Sequence, residues 1–137
     1  NGPPPEINLF NEKNNGLSII KLNKAKLINA VHDISAGGIL VALTEMCIGN
    51  KIGVDIKKPR DNISLCEYFF GEDQSRYIIE ISEKNKDKAV KILEENGVYF
   101  EILGKTQKNR LSLNQEFNVE ISELKDLNSY WFKSYFK

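Results

Sequence analysis

The segment INAVHDISAGGILVALTEMCIGNKIG, Ile28 to Gly53, decides the fold. It starts as a short apolar strand around Ala30 and Val31 and closes in the polar residues His32, Asp33 and Ser35. Gly37 and Gly38 then open a helix that is apolar on nearly every side, from Ile39 to Ile48. A helix without a polar face is buried on several sides. Asn50 and Gly53 suit a left-handed C-terminal cap. Two readings of the glycine turn stand side by side. A helix N-terminus carries unpaired N–H groups and the positive end of the macrodipole, so glycines there let a phosphate reach the backbone. Without a ligand, Ser35 or Asp33 is the N-cap and the glycines permit a tight turn.

Working outward, Gly2-Pro3-Pro4-Pro5 is stiff and helix-breaking, so residues 1–5 are expected to be an interdomain linker remnant and 6–137 a single domain. Apolar spacing predicts a helix over Glu6–Leu22, loosened at Asn14-Asn15-Gly16, and a strand over Leu27–Val31. Beyond the central helix, Ile52–Ile56 alternates as a strand and Lys57–Asn62 is a charged turn. A short helix from Ser64 ends at Gly71. Ser75–Ser82, SRYIIEIS, is rich in β-branched and aromatic residues and predicts a strong strand. Asn85–Gly97 is amphipathic about Ala89, Ile92 and Leu93. Strands are expected at Val98–Leu103, Arg110–Leu113 and Glu116–Ile121. A last helix from Ser122 ends in Tyr130, Trp131, Phe132, Tyr135 and Phe136, which are expected to dock on the domain's own sheet. Strand–helix–strand recurs around Gly38–Cys47 and Lys88–Asn96. Together these elements indicate an α+β or α/β fold, a mixed β-sheet covered by helices.

The composition excludes several classes. Nineteen basic and nineteen acidic residues balance to a formal charge of zero, unlike a general nucleic-acid binder. No apolar run is long enough to span a membrane. Cys47 and Cys66 lack metal-ligand spacing and are expected to be reduced core residues of a cytoplasmic protein. His32, the only histidine, stands beside Asp33. The pair suits a base and its orienter, but no nucleophile is placed beside it by motif, and a structural histidine bonded to a neighbouring backbone group is the preferred reading. Asp33 suits a nucleotide-borne Mg²⁺, and one carboxylate is not a site. Gln74 and Arg76 offer phosphate or carboxylate recognition, or Arg76 closes a structural salt bridge to Asp33 or Glu72.

The order VHDISAGGILVALTEM (Val31–Met46) and then FFGEDQSRYIIEIS (Phe69–Ser82) resembles the C-terminal domain of the ATP-dependent superfamily of aminoimidazole ribonucleotide synthetase and selenophosphate synthetase. Within it, the chain is most similar to the synthetase subunits of the phosphoribosylformylglycinamidine synthase family, over Gly2 to Phe136. Ala36 stands where an acidic residue is common in the family. The resemblance implies an aminoimidazole ribonucleotide synthetase C-terminal-domain-like α+β fold. It also implies part of an amidoligase of purine biosynthesis that uses ATP and Mg²⁺ to join glutamine-derived ammonia to formylglycinamide ribonucleotide. The implied partners are the remaining domains of its own chain, a glutaminase subunit and a small accessory subunit, with no nucleic acid and no membrane. The reactive centre is implied to lie in other domains, leaving no catalytic residue here. Asp33, Ser35, Gly37, Gly38, Glu72, Gln74 and Arg76 are the candidate phosphate- or nucleotide-binding residues, and the resemblance implies that the segment Glu72 to Arg76 faces an auxiliary, non-catalytic cleft. A free-standing phosphate-binding or scaffold module is the alternative.

Overall fold

The computed structural model describes residues 6–57, 63–113 and 116–136. The expected linker at residues 1–5 and most of the charged turn at 57–62 lie outside them. The chain forms two compact units, Asn1–Ala42 with Cys66–Glu101 and Leu43–Leu65 with Ile102–Lys137.

In the first unit, helix α1 (Leu9–Lys24) leads into strand β1 (Ile28–Asp33). Asn8 is the N-cap of α1, its side chain accepting from Phe10 N and Asn11 N at 3.1 Å, so Glu6 and Ile7 precede the helix rather than begin it. The helix also runs through Asn14-Asn15-Gly16 without a break. It ends in a Schellman motif. Lys26 N donates to Asn23 O, Leu27 N donates to Leu22 O at 3.1 Å, and Lys26 takes φ 55°. Leu27 is therefore the residue that closes the helix, and the strand begins one place later than its apolar pattern suggests. Helix α4 (Lys86–Glu95), entered through a 3-10 turn at Glu83–Asn85, ends the same way: Gly97 takes φ 64° and Val98 N donates to Leu93 O at 2.9 Å. The two closures meet in one core, where Leu22, Leu27, Ala89 and Leu93 are buried against Ile28, Ile79, Ile81, Ile92 and Val98. Lysine in the left-handed region costs roughly 1 kcal/mol that glycine does not. Glycine's greater freedom in the unfolded chain offsets part of this, so Lys26→Gly should raise stability by up to about 0.5 kcal/mol in a urea melt.

Strand β3 (Tyr77–Ile81) pairs antiparallel with β1, from Ile28↔Ile81 to Asp33↔Tyr77. It starts later than Ser75 because Ser75 has φ 68°, outside extended backbone. Between the strands lie helix α2 (Gly38–Asn50), which begins in the first unit and ends in the second, and helix α3 (Leu65–Phe70). α3 buries Phe69 and leaves Cys66 exposed, so only Cys47 of the two free cysteines is a core residue. Burial pushes the Cys47 thiol above its usual pKa.

The second unit holds a four-stranded sheet in the order β4-β2-β5-β6, from β2 (Ile52–Ile56), β4 (Gly104–Lys108), β5 (Arg110–Leu113) and β6 (Phe117–Glu120). β2 runs antiparallel to β4 and parallel to β5, and β5 runs antiparallel to β6, so the sheet is mixed as expected. Val54, Ile56, Leu111 and Leu113 are buried and register as neighbours, Val54↔Leu111 and Ile56↔Leu113. β1 pairs with β3 in one sheet, while β2 and β4 lie in the other. Two expectations change here. Val98–Leu103 forms no strand, and β4 follows it. Lys51, with φ 55°, is the left-handed residue after α2, while Gly53 belongs to β2.

Helix α5 (Ile121–Tyr135) is anchored by buried Ile121, whose N–H donates to Asn109 O at 2.9 Å. Its aromatic end does not dock on the sheet. Tyr130, Trp131, Phe132, Tyr135 and Phe136 are 55–78% exposed. They stack edge-on or tilted on one another instead, with ring centroids 4.7–5.7 Å apart in the Trp131–Phe132, Phe132–Phe136 and Tyr135–Phe136 pairs.

Candidate functional site

The candidate residues meet at one end of the β1–β3 ladder, within the first unit. Beyond Asp33↔Tyr77 the ladder gains one more bond, Ile34 N to Arg76 O at 2.9 Å. The chain then turns: Gly38 N donates to Ser35 O at 3.1 Å, and Gly37 and Gly38 take φ 80° and 68°. Two successive left-handed residues need glycine. Gly38 needs it for a second reason, since a Cβ there would lie 2.6 Å from Phe69 O and 2.8 Å from Gly71 O. The last turn of α3 is thus seated on the first residue of α2.

This contact delivers Glu72 to the helix start. Gly37 N donates to Glu72 Oε1 at 2.7 Å. The carboxylate takes the place at the positive end of α2 that an anion oxygen would take. Neither simple reading of the turn anticipates this, because the anion at the helix start comes from a distant loop. Arg76 holds that loop closed. Its guanidinium donates to Gly71 O at 2.5 Å and to Asp73 O at 3.2 Å, and lies 3.5 Å from Asp73 Oδ2. The ion pair expected with Asp33 or Glu72 is made with Asp73 instead. From α1, Asn15 Nδ2 donates to Ser75 O at 2.7 Å and fixes the left-handed residue just before Arg76. Asn15 gave no sign of this in the sequence, where Asn-Gly signals only a turn.

Asp33 and Ser35 are exposed on the first arm of the turn, and Gln74 is exposed on the loop. His32 Nδ1 lies 2.6 Å from Asp33 O and 3.8 Å from Asp33 Oδ1. A carbonyl oxygen only accepts, so Nδ1 carries the proton in that contact. Close by, the Tyr68 hydroxyl donates to the Glu101 carboxylate, and Tyr68 packs edge-on against Phe69 with centroids 4.9 Å apart. Burial, and then Glu101, drives the Tyr68 pKa well above its usual value. The tyrosine therefore serves as a neutral donor that ties the segment after α4 to α3. Sequence reasoning had no means of pairing two residues so far apart.

The set can hold one anionic group at a time on Gly37 N–H. Among the described residues no group of three or more His, Cys, Asp or Glu side chains is placed to hold a metal ion. Glu72→Ala should lower the sulfate concentration that shifts the Gly37 amide signal at least tenfold, because the competing carboxylate is gone. It should also cost about 0.5–1 kcal/mol of stability. An unchanged sulfate titration would show that Glu72 does not guard the turn.

Comparison with known proteins decides the family. The model of the family "AIR synthase related protein, C-terminal domain" matches residues 3–114. The chain belongs to this family. The AIR-synthase-type domain is 50% identical, over 135 residues and 98% of its length, to phosphoribosylformylglycinamidine synthase subunit PurL of Pelagibacter ubique. It spans about 18% of that relative's length. Its fold is similar to that of phosphoribosylformylglycinamidine synthase II of Thermotoga maritima, with a TM-score of 0.77 at 17% identity, over 88% of this chain and 22% of the other. A T. maritima PurL complexed with ATP gives a TM-score of 0.74 at 17% identity, over 85% of this chain and 22% of that one. Among the described residues no helix is long and apolar enough to cross a membrane.

Proposed function

We propose that this chain is the C-terminal domain of a phosphoribosylformylglycinamidine synthase. The whole enzyme would join ammonia from glutamine to formylglycinamide ribonucleotide at the expense of ATP, in purine biosynthesis. The observation that carries the proposal is the 50% identity to a PurL subunit over 98% of the chain. The enzyme would use ATP and Mg²⁺, work in the cytoplasm, and assemble with a glutaminase subunit and a small accessory subunit. Residues 6–137 would act as one domain of it, joined through residues 1–5.

In this reading the domain frames a nucleotide cleft and does no chemistry alone. Phosphoryl transfer needs a cradle for the triphosphate, metal ions on its oxygens and stabilisation of the developing charge. Asp33, Ser35, Gly37, Gly38, Glu72, Gln74 and Arg76 would form one wall of an auxiliary cleft. Gly37 N–H, already bound to Glu72, is a poor first contact for a phosphate.

Two experiments test this. The purified chain, given ATP, Mg²⁺, formylglycinamide ribonucleotide and ammonium, should release no ADP above background. Ribonucleotide-dependent ADP release that His32→Ala abolishes would make the domain catalytic. In the second, this chain replaces the matching segment of P. ubique PurL. The chimera should keep turnover within tenfold of the parent, and a folded but inactive chimera would overturn the assignment.

A further inference from the structure

Helix α5 carries an apolar surface that the chain itself leaves open. Leu127, Tyr130, Trp131, Phe132, Tyr135 and Phe136 are all more than half exposed. At roughly 200 Å² per large side chain, their exposed portion comes to roughly 800 Å², about one partner's share of a standard protein interface. Soluble monomers rarely expose apolar patches larger than a few hundred Å². The aromatic content, Trp131 with Tyr130 and Tyr135, is of the kind enriched in interface cores. Beside it runs an open groove lined by Glu120, Ser122, Glu123, Asp126, Leu127 and Tyr130, so the rim is acidic.

The comparisons narrow the choice of occupant. The family model ends at residue 114, before α5 begins at Ile121. The match to the P. ubique subunit covers 98% of the chain and therefore includes α5. The helix thus lies outside the residues that the family model matches and inside the stretch shared with the P. ubique subunit. More than four-fifths of that synthase lies outside the match. We propose that α5 is the docking element by which this domain seats on the remainder of its own synthase polypeptide, in an apolar groove rimmed by Lys or Arg opposite Glu123 and Asp126. This inference rests on the synthase reading above.

The test uses P. ubique PurL from which the segment matching this chain has been deleted, mixed with this chain supplied separately. Association is read by sedimentation velocity. The unsubstituted chain should co-sediment with the truncated subunit. The double substitution Trp131→Ala and Tyr135→Ala should weaken that association at least tenfold, and Glu123→Lys with Asp126→Lys at least threefold. Because all four side chains are exposed, the variants should keep the parent's thermal midpoint, which confirms that they fold. If the unsubstituted chain fails to associate, the docking role falls, while the synthase reading is decided by the turnover of the chimera. If it associates and the aromatic variant does so equally well, only the docking role falls. A concentration-dependent dimer of the chain alone, lost in the aromatic variant and unaffected by the truncated subunit, would assign α5 to a second copy and overturn the proposal.

Discussion

Gly53→Ala is expected to destabilise the four-stranded unit by about 3 kcal/mol, at the upper end of overpacking effects. The cause is topological. β4 and β5 flank β2 on its two sides, yet only Asn109 separates them in sequence. The chain therefore crosses the start of β2 at Asn109, in the left-handed region at φ 58°. A Cβ on Gly53 would lie 1.9 Å from Arg110 O and 2.4 Å from Arg110 N. Both obstacles are backbone atoms, so no side-chain rotation relieves them. The crossing would have to lift, pulling Leu111 and Leu113 away from Val54 and Ile56, with which they register. Gly49→Ala is the control. It sits within α2 where a Cβ would meet nothing within 4 Å, so it should stabilise by about 0.5–1 kcal/mol through the lower entropy of the unfolded chain. The measurement is thermal melting of both variants, where roughly 3 kcal/mol lowers the midpoint by roughly 10 °C in a domain of this size. Equal midpoints for the two variants would remove the crossing as a constraint on β2.

Gly53 also marks where sequence reading reaches its limit. A glycine after an apolar helix reads as a cap, because the usual local reason for glycine is positive φ. Here Lys51 supplies the positive φ, and Gly53 answers a long-range approach of backbone to backbone. Elements whose cause is local were legible: the helix from Gly38, the strands at β2, β3 and β5, the amphipathic α4 and its Gly97 terminus. The same logic failed at α1, where Lys26 does the work of a glycine, and at β4. Val98–Leu103 has strand composition, yet its Tyr99 and Ile102 stay exposed, while the polar GKTQK that follows makes the strand. An edge strand bearing Lys105 and Lys108 need not alternate apolar residues, and its lysines discourage pairing with another chain.

The site divides along the same line. Asp33, Ser35, Gly37 and Gly38 were visible as a strand-to-helix turn, because spacing and glycine chemistry are local. Glu72 and Arg76 were visible as candidates, but their partners were not. That Glu72 reaches Gly37 N–H, and that Arg76 binds Gly71 O and Asp73 rather than Asp33, depends on α3 packing against the start of α2. No spacing rule encodes that contact.

Gly38→Val tests the contact directly, with an expected loss of about 3–4 kcal/mol from two separate causes. The first is conformational: at φ 68° a β-branched residue sits in the left-handed region, at a cost of about 1–2 kcal/mol. The second is steric: the Cβ would meet Phe69 O at 2.6 Å and Gly71 O at 2.8 Å, both backbone, adding roughly 2 kcal/mol of overpacking. The consequences should reach the site in a fixed order. α3 must move off α2, and Gly71 O, which accepts from Arg76, moves with it. Glu72 follows as the next residue and withdraws from Gly37 N–H. The variant should therefore show a lower thermal midpoint together with a Gly37 amide that exchanges with solvent faster and answers to sulfate. Glu72→Ala should reproduce the sulfate response with only a small loss of stability, separating the guard from the scaffold that positions it. A Gly38→Val midpoint within about 3 °C of the parent, which corresponds to less than roughly 1 kcal/mol, would mean that α3 is not held on the start of α2 by close packing. The account of how Glu72 reaches the turn would fall with it.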